Sequence, residues 1–116
     1  MLEEFSLNNR VAVVTGAGRG VGRGIAITMA EAGADIVCVA RSTSEIEATT
    51  AEILSMGKRS IAITADVTQP DKVEEMMKEA VSTMGRIDIL INNAGAIIHK
   101  PVLPYPPDMA KNNPPA

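Results

Sequence analysis

Short apolar runs alternate along the chain with stretches in which apolar residues recur every three or four positions. Val11–Thr15 is an unbroken run that ends in glycines, as a strand covered on both faces would. Val21, Ile25, Thr28, Met29 and Ala32 then fall at i, i+4, i+7, i+8 and i+11, one face of a helix that Gly33 stops. Ile36–Ala40 reads as a second strand. Ser42 and Glu45 have capping-box spacing, and Ile46, Thr50, Ile53 and Leu54 give the next helix a buried stripe that ends at Gly57. Ser60–Ala65 is a third strand. Thr68 is placed to cap a third helix with Pro70 in its first turn. Val73, Met76, Met77, Ala80, Val81 and Met84 form its inward face, and Gly85 terminates it. Ile87–Ile91 reads as a fourth strand.

Alternation of this kind, with short connections, predicts an α/β fold: the first half of a Rossmann-like, doubly wound parallel sheet. The expected order is 3-2-1-4, with right-handed crossovers and helices on both faces in three layers. The pattern stops near residue 100. Six of the seven prolines lie in Pro101–Pro115, so residues 101–116 are expected to be a disordered tail or a truncated loop.

Composition narrows the class. Phe5 and Tyr105 are the only aromatic residues, so the core must be built from Val, Ile, Ala, Leu and Met. The net charge is −3 with no basic cluster, which gives no electrostatic case for nucleic acid. Cys38, the single cysteine, excludes an internal disulfide and is expected to pack in the core. His99 has no carboxylate or cysteine at ligand spacing and reads as a loop residue, not a metal ligand. The acidic start lacks the apolar stretch of a secretory signal, and no run approaches the ~18 residues of a membrane span. The expected location is the cytoplasm, with no membrane partner.

The strongest local signal is Thr15-Gly16-Ala17-Gly18-Arg19-Gly20-Val21-Gly22, between the first strand and the first helix. A helix start offers unpaired N–H groups and partial positive charge, which bind phosphate, and glycine lets backbone meet pyrophosphate. The spelling is T-G-x-x-x-G-x-G, neither G-x-G-x-x-G nor a P-loop. A flexible linker would not stand between a buried strand and a periodic helix. Arg19 and Arg23 argue against a membrane-helix dimer motif.

This loop resembles the cofactor fingerprint of the short-chain dehydrogenase/reductase family. Asp66-Val67 resembles the family's adenine-contacting position, and Asn92-Asn93-Ala94-Gly95 resembles its N-N-A-G motif. Each motif ends a strand, where open α/β sheets bind ligands. Taken singly, Asp66 could cap a turn, and the asparagines could be turn formers. The likeness covers about residues 8 to 100, and it marks residues 1–100 as a dinucleotide-binding domain. It implies Gly16, Ala17, Gly18, Arg19, Gly20, Val21, Gly22, Arg41, Asp66, Val67, Asn93, Ala94 and Gly95 as cofactor contacts.

The end of the second strand bears on the choice of cofactor. A carboxylate there selects NAD(H), but Ala40-Arg41 occupies the place, and Asp35 is at the wrong end of the strand. Arg41 with Arg19 resembles the NADP-preferring branch, so NADP(H) is expected over NAD(H). The resemblance also implies hydride transfer to or from a small carbonyl or alcohol, a Ser with a Tyr-x-x-x-Lys pair, and homo-oligomers. Within the family the sequence is similar to 3-oxoacyl-carrier-protein reductases and sugar or polyol dehydrogenases. Here Tyr105 is followed four places on by Met109, and Lys111 has the wrong spacing, so no catalytic residue is assigned. The chain is about half as long as family members or less. The expectation is a partial chain that binds cofactor without turnover and is marginally stable alone, its fourth-strand edge open. A non-catalytic NADP(H)-binding or sensor module is the alternative. A nucleotide-fold methyltransferase is disfavoured by Ala40-Arg41.

Overall fold

A computed structural model describes residues 6–93. Its elements run β1 (Val11–Thr15), α1 (Gly20–Glu31), β2 (Asp35–Ala40), α2 (Thr43–Ser55), β3 (Ser60–Thr64), α3 (Pro70–Met84) and β4 (Ile89–Ile91). The strands form one parallel sheet in the order β3-β2-β1-β4. This is the α/β, doubly wound arrangement that the alternation predicts.

Side chains alternate across the sheet with a period of two, so each strand feeds two cores. Ala12, Val14, Ile36 and Cys38 face α1 and α2, where Ala26, Ala30, Ile46 and Ile53 meet them. Val11, Val13, Val37 and Val39 face α3 and pack on Met76, Ala80 and Met84. Fully burying an Ile such as Ile36, Ile46 or Ile53 stabilises by about 1.5–3 kcal/mol. Because α1 and α2 share one face and α3 takes the other, the winding reverses between β1 and β4. Their C-terminal ends open a crevice there.

Several local expectations are corrected. The buried stripe of α1 is Gly22, Ala26 and Ala30; Val21 is 71% exposed and Thr28 is exposed. A stripe of small residues brings this helix close to the sheet. Leu54 and Val81 lie outside their inward faces, at 51% and 47% exposure, while Thr49 is fully buried in α2. Ser42 is the N-cap of α2, but its side chain makes no capping bond, so no capping box forms with Glu45. Gln69, not Thr68, is the N-cap of α3. The Thr68 amide and hydroxyl instead donate to Asp66 Oδ1. β4 begins at Ile89, not Ile87. Residues 87–88 enter through Asp88, whose amide donates to the Val11 carbonyl and whose Oδ2 accepts the Val11 amide at 2.8 Å.

His99, Tyr105 and the proline-rich residues 101–116 lie outside the described residues. No helix among the described residues is long and apolar enough to cross a membrane. No cluster of metal-ligating side chains is present among them either.

Candidate cofactor-binding site

A cleft of about 390 Å³ runs along the C-terminal ends of the strands. Four connections build it. Gly16, Gly18 and Arg19 come from the β1–α1 loop, and Ala40, Arg41, Ser42 and Glu45 from the end of β2, the turn after it and the first turn of α2. Asp66, Val67 and Thr68 follow β3, and Asn93 follows β4.

The loop is held in place by its own backbone and by its neighbours. The Ala17 amide donates to the Val39 carbonyl at 3.3 Å. The Ala17 carbonyl accepts from the Thr49 hydroxyl of α2 at 3.0 Å, in a buried setting. Thr15, also buried, accepts from the Asn93 amide at 2.8 Å and donates to Asn92 Oδ1 at 3.1 Å. That pins the chain beyond β4 to the end of β1. Arg23 of α1 pairs with Glu52 of α2, which ties the two helices on that face.

Two glycines are required by this geometry. Gly20 opens α1 with φ +59, a left-handed conformation that a side chain would strain. Gly22 lies against the loop: a Cβ there would stand 1.9 Å from the Gly16 carbonyl oxygen. Among the described residues, the start of α1 has no other partner. Its N-cap, Arg19, makes no side-chain capping bond, and no acidic residue stands in its first turn. The first ladder bond into the helix from the loop is the Arg23 amide to the Arg19 carbonyl. The amides of residues 20–22 therefore remain available to an anion.

The charges of the cleft have distinct commitments. Arg19 and Arg41 are exposed, and neither forms a salt bridge among the described residues. Asp66 is engaged within its own turn. The Thr68 hydroxyl, then the Thr68 amide, with added help from the Arg41 charge, hold its carboxyl below the usual carboxylate range. Asp35 is at the far end of β2, where Arg59 binds it through its amide and its Nε. Arg59 also reaches the Met84 carbonyl.

Of the residues singled out from the sequence, Gly16, Gly18, Arg19, Arg41, Asp66, Val67 and Asn93 are brought together in the cleft. Ala17 is fully buried behind it, both backbone polar groups engaged. Gly20 and Gly22 shape the helix start, Val21 faces outward, and Ala94 and Gly95 lie outside the described residues. Sequence reasoning did not assign site roles to Thr49, Thr15 or Glu45. Thr49 had a signal, being a hydroxyl three residues after Ile46 and four before Ile53, on the buried stripe of α2. Glu45 had none beyond the capping spacing, since its contact with the loop is made in three dimensions.

The sequence pattern described as short chain dehydrogenase matches residues 10–111. A 3-oxoacyl-[acyl-carrier-protein] reductase of Staphylococcus epidermidis is 49% identical over 88 residues, 75% of this chain and 36% of the relative. A 2-dehydro-3-deoxy-D-gluconate 5-dehydrogenase of Pseudoalteromonas atlantica is 40% identical, over 94% of this chain and 43% of its own length. Among solved structures, a hydroxysteroid dehydrogenase from Escherichia coli aligns with a TM-score of 0.76 at 36% identity, covering 79% of this chain and 39% of its own. The chain thus spans about two fifths of the length of the curated relatives it matches.

Proposed function

Because the chain belongs to the short-chain dehydrogenase family, we propose that its cleft holds NADP(H) in preference to NAD(H). In this reading it is the cofactor-binding part of an oxidoreductase acting on a carbonyl or alcohol. The family binds a nicotinamide dinucleotide, and the donor set here suits one. The bare amides of residues 20–22 suit a pyrophosphate. Asp66 and Val67 line the cleft and would offer a wall for the adenine, and Asn93, which lines it too, would meet the nicotinamide half. When bound, the nicotinamide would supply or accept the hydride.

The observation that carries the preference is the pair of guanidinium groups, Arg19 and Arg41, on one cleft with no carboxylate ending β2. A 2′-phosphate on the adenosine ribose would pair with them, and each charge-assisted hydrogen bond contributes about 1.5–3 kcal/mol. The only tyrosine is Tyr105, with Met109 four places on, so binding without turnover is the expectation for these residues alone. The buried free thiol of Cys38 fits a reducing, cytoplasmic setting.

Titration of the 116-residue chain with NADPH and NADH tests the reading. Arg41→Ala is expected to weaken NADPH by about tenfold or more while NADH changes little. Equal losses for both, or no preference in the parent chain, would overturn the cofactor assignment.

A further inference from the structure

The first turn of α2 also brings a negative charge into the cleft. Glu45 has capping-box spacing from Ser42, but Ser42 makes no side-chain cap, and Glu45 turns toward the glycine loop instead. A Cβ built on Gly18 would stand 2.7 Å from Glu45 Cβ and 3.3 Å from its Oε1. The carboxylate therefore lies against the loop residue next to Arg19, in the same cleft as Arg41. Among the described residues Glu45 has no ion pair within 4 Å, and its carboxylate makes no hydrogen bond.

We propose that Glu45 is a specificity-determining residue. Its carboxylate opposes the 2′-phosphate and keeps the preference for NADPH below what Arg19 and Arg41 alone would give. The inference rests on the reading of the cleft given under Proposed function. The charge balance supports it. Two guanidiniums share the cleft with two carboxylates, and Asp66 is already engaged by Thr68. Glu45 is the uncommitted one. A dianionic phosphate bound in this cleft would be repelled by a carboxylate lining it, because charges closer than a Debye length, about 8 Å in physiological salt, are only partly screened. NADH presents ribose hydroxyls instead, and a carboxylate accepts hydrogen bonds from hydroxyls. Glu45 thus works on the difference between the two cofactors.

Glu45→Gln keeps the side-chain shape and removes the charge. NADPH is expected to bind about threefold to tenfold tighter, with NADH unchanged or weaker, and the gain should shrink in high salt. A purely structural role would move both cofactors together and leave their ratio unchanged; an unchanged or lowered ratio would overturn the proposal. Glu45→Ala retains the Cβ against Gly18 and gives the same readout if the Gln variant is unstable. Arg41→Ala, run alongside, separates the failures. If it weakens NADPH selectively while Glu45→Gln does not raise the ratio, only the role of Glu45 falls. If Arg41→Ala leaves NADPH unaffected, the cofactor reading falls, and the role of Glu45 falls with it.

Discussion

Gly22 and Gly24 are two residues apart in α1, and the same substitution at each should have opposite effects. A Cβ on Gly22 would stand 1.9 Å from the Gly16 carbonyl oxygen, 2.6 Å from the Gly16 carbonyl carbon and 2.9 Å from Asn93 Nδ2. The amide of Asn93 could swing away, but the Gly16 atoms are backbone. An ordinary carbon–oxygen contact is about 3.3 Å, so the loop and helix must part by roughly 1.4 Å. Overpacking of this kind typically costs about 1–3 kcal/mol, and a contact with fixed backbone belongs at the upper end. Replacing glycine inside a helix returns about 0.8–1.0 kcal/mol. The balance for Gly22→Ala is a net loss of about 2 kcal/mol. At Gly24 nothing lies within 4 Å of the added atom, so only the helix-propensity gain remains, about 0.5–1 kcal/mol. Urea and thermal unfolding of both variants measure this, with about 4–8 °C of melting shift per kcal/mol in a domain this size. A Gly22→Ala chain as stable as the parent, or shifts of the same sign at both positions, would refute the close approach of α1 to the loop.

Two further expectations concern the supports of the cleft. Thr49→Val removes the hydroxyl that donates to the buried Ala17 carbonyl while keeping the side-chain volume. It should destabilise the chain by about 1–2 kcal/mol in urea unfolding and weaken NADPH and NADH by the same factor; a selective loss of one cofactor would contradict the supporting role. Asp88 predicts an acid limb. Hydrogen bonds from the Arg86 side chain and then the Val11 amide, with the Arg86 and Arg10 charges adding, hold its carboxyl below its ordinary value of 3.8. The folded state therefore favours the carboxylate form, so the contribution is complete above the ordinary value and is lost as pH falls through the folded one. Asp66, lowered in the same direction, adds a parallel loss. Asp88→Asn should flatten the fall in melting temperature below about pH 4 without abolishing it, and an unchanged profile would count against the assignment.

The element order was legible because its signals are local. Short apolar runs, helical spacing and glycine stops each occupy a few residues, and together they predict order 3-2-1-4. What failed depends on how closely elements approach. The spacing of the bulky Val21, Ile25 and Met29 points to one stripe of α1, yet the most buried positions are Gly22, Ala26 and Ala30, because the helix sits too near the sheet for large side chains. Val81 and Leu54 fit the helical spacing but fall at the margins of their faces, where no layer among the described residues covers them. The caps failed for a related reason: Thr68 was taken by Asp66, and the Glu45 contact with the Gly18 loop crosses between elements. The cleft residues were legible as motifs, but the supports of those motifs were not. Thr49 belongs to a helix that no cofactor motif names, and its partner lies 32 residues away.

The hydrogen bonding divides the site into groups that hold the loop and groups left open to a ligand. Ala17 has given its amide to β2 and its carbonyl to Thr49, and the Thr15 hydroxyl is shared between Asn92 and Asn93. Paired and buried, these atoms are out of a cofactor's reach. Their work is to fix the direction of the amides of residues 20–22, and a pyrophosphate is common to both dinucleotides. A change among the supports must therefore act on NADPH and NADH alike. On the proposed reading of the cleft, discrimination comes from side chains that hold the loop only weakly or not at all, and in the cleft those are Arg19, Arg41 and Glu45. This division gives each substitution a signature in advance: Thr49 and Gly22 should lower both affinities together, whereas Arg41 and Glu45 should move their ratio, in opposite directions.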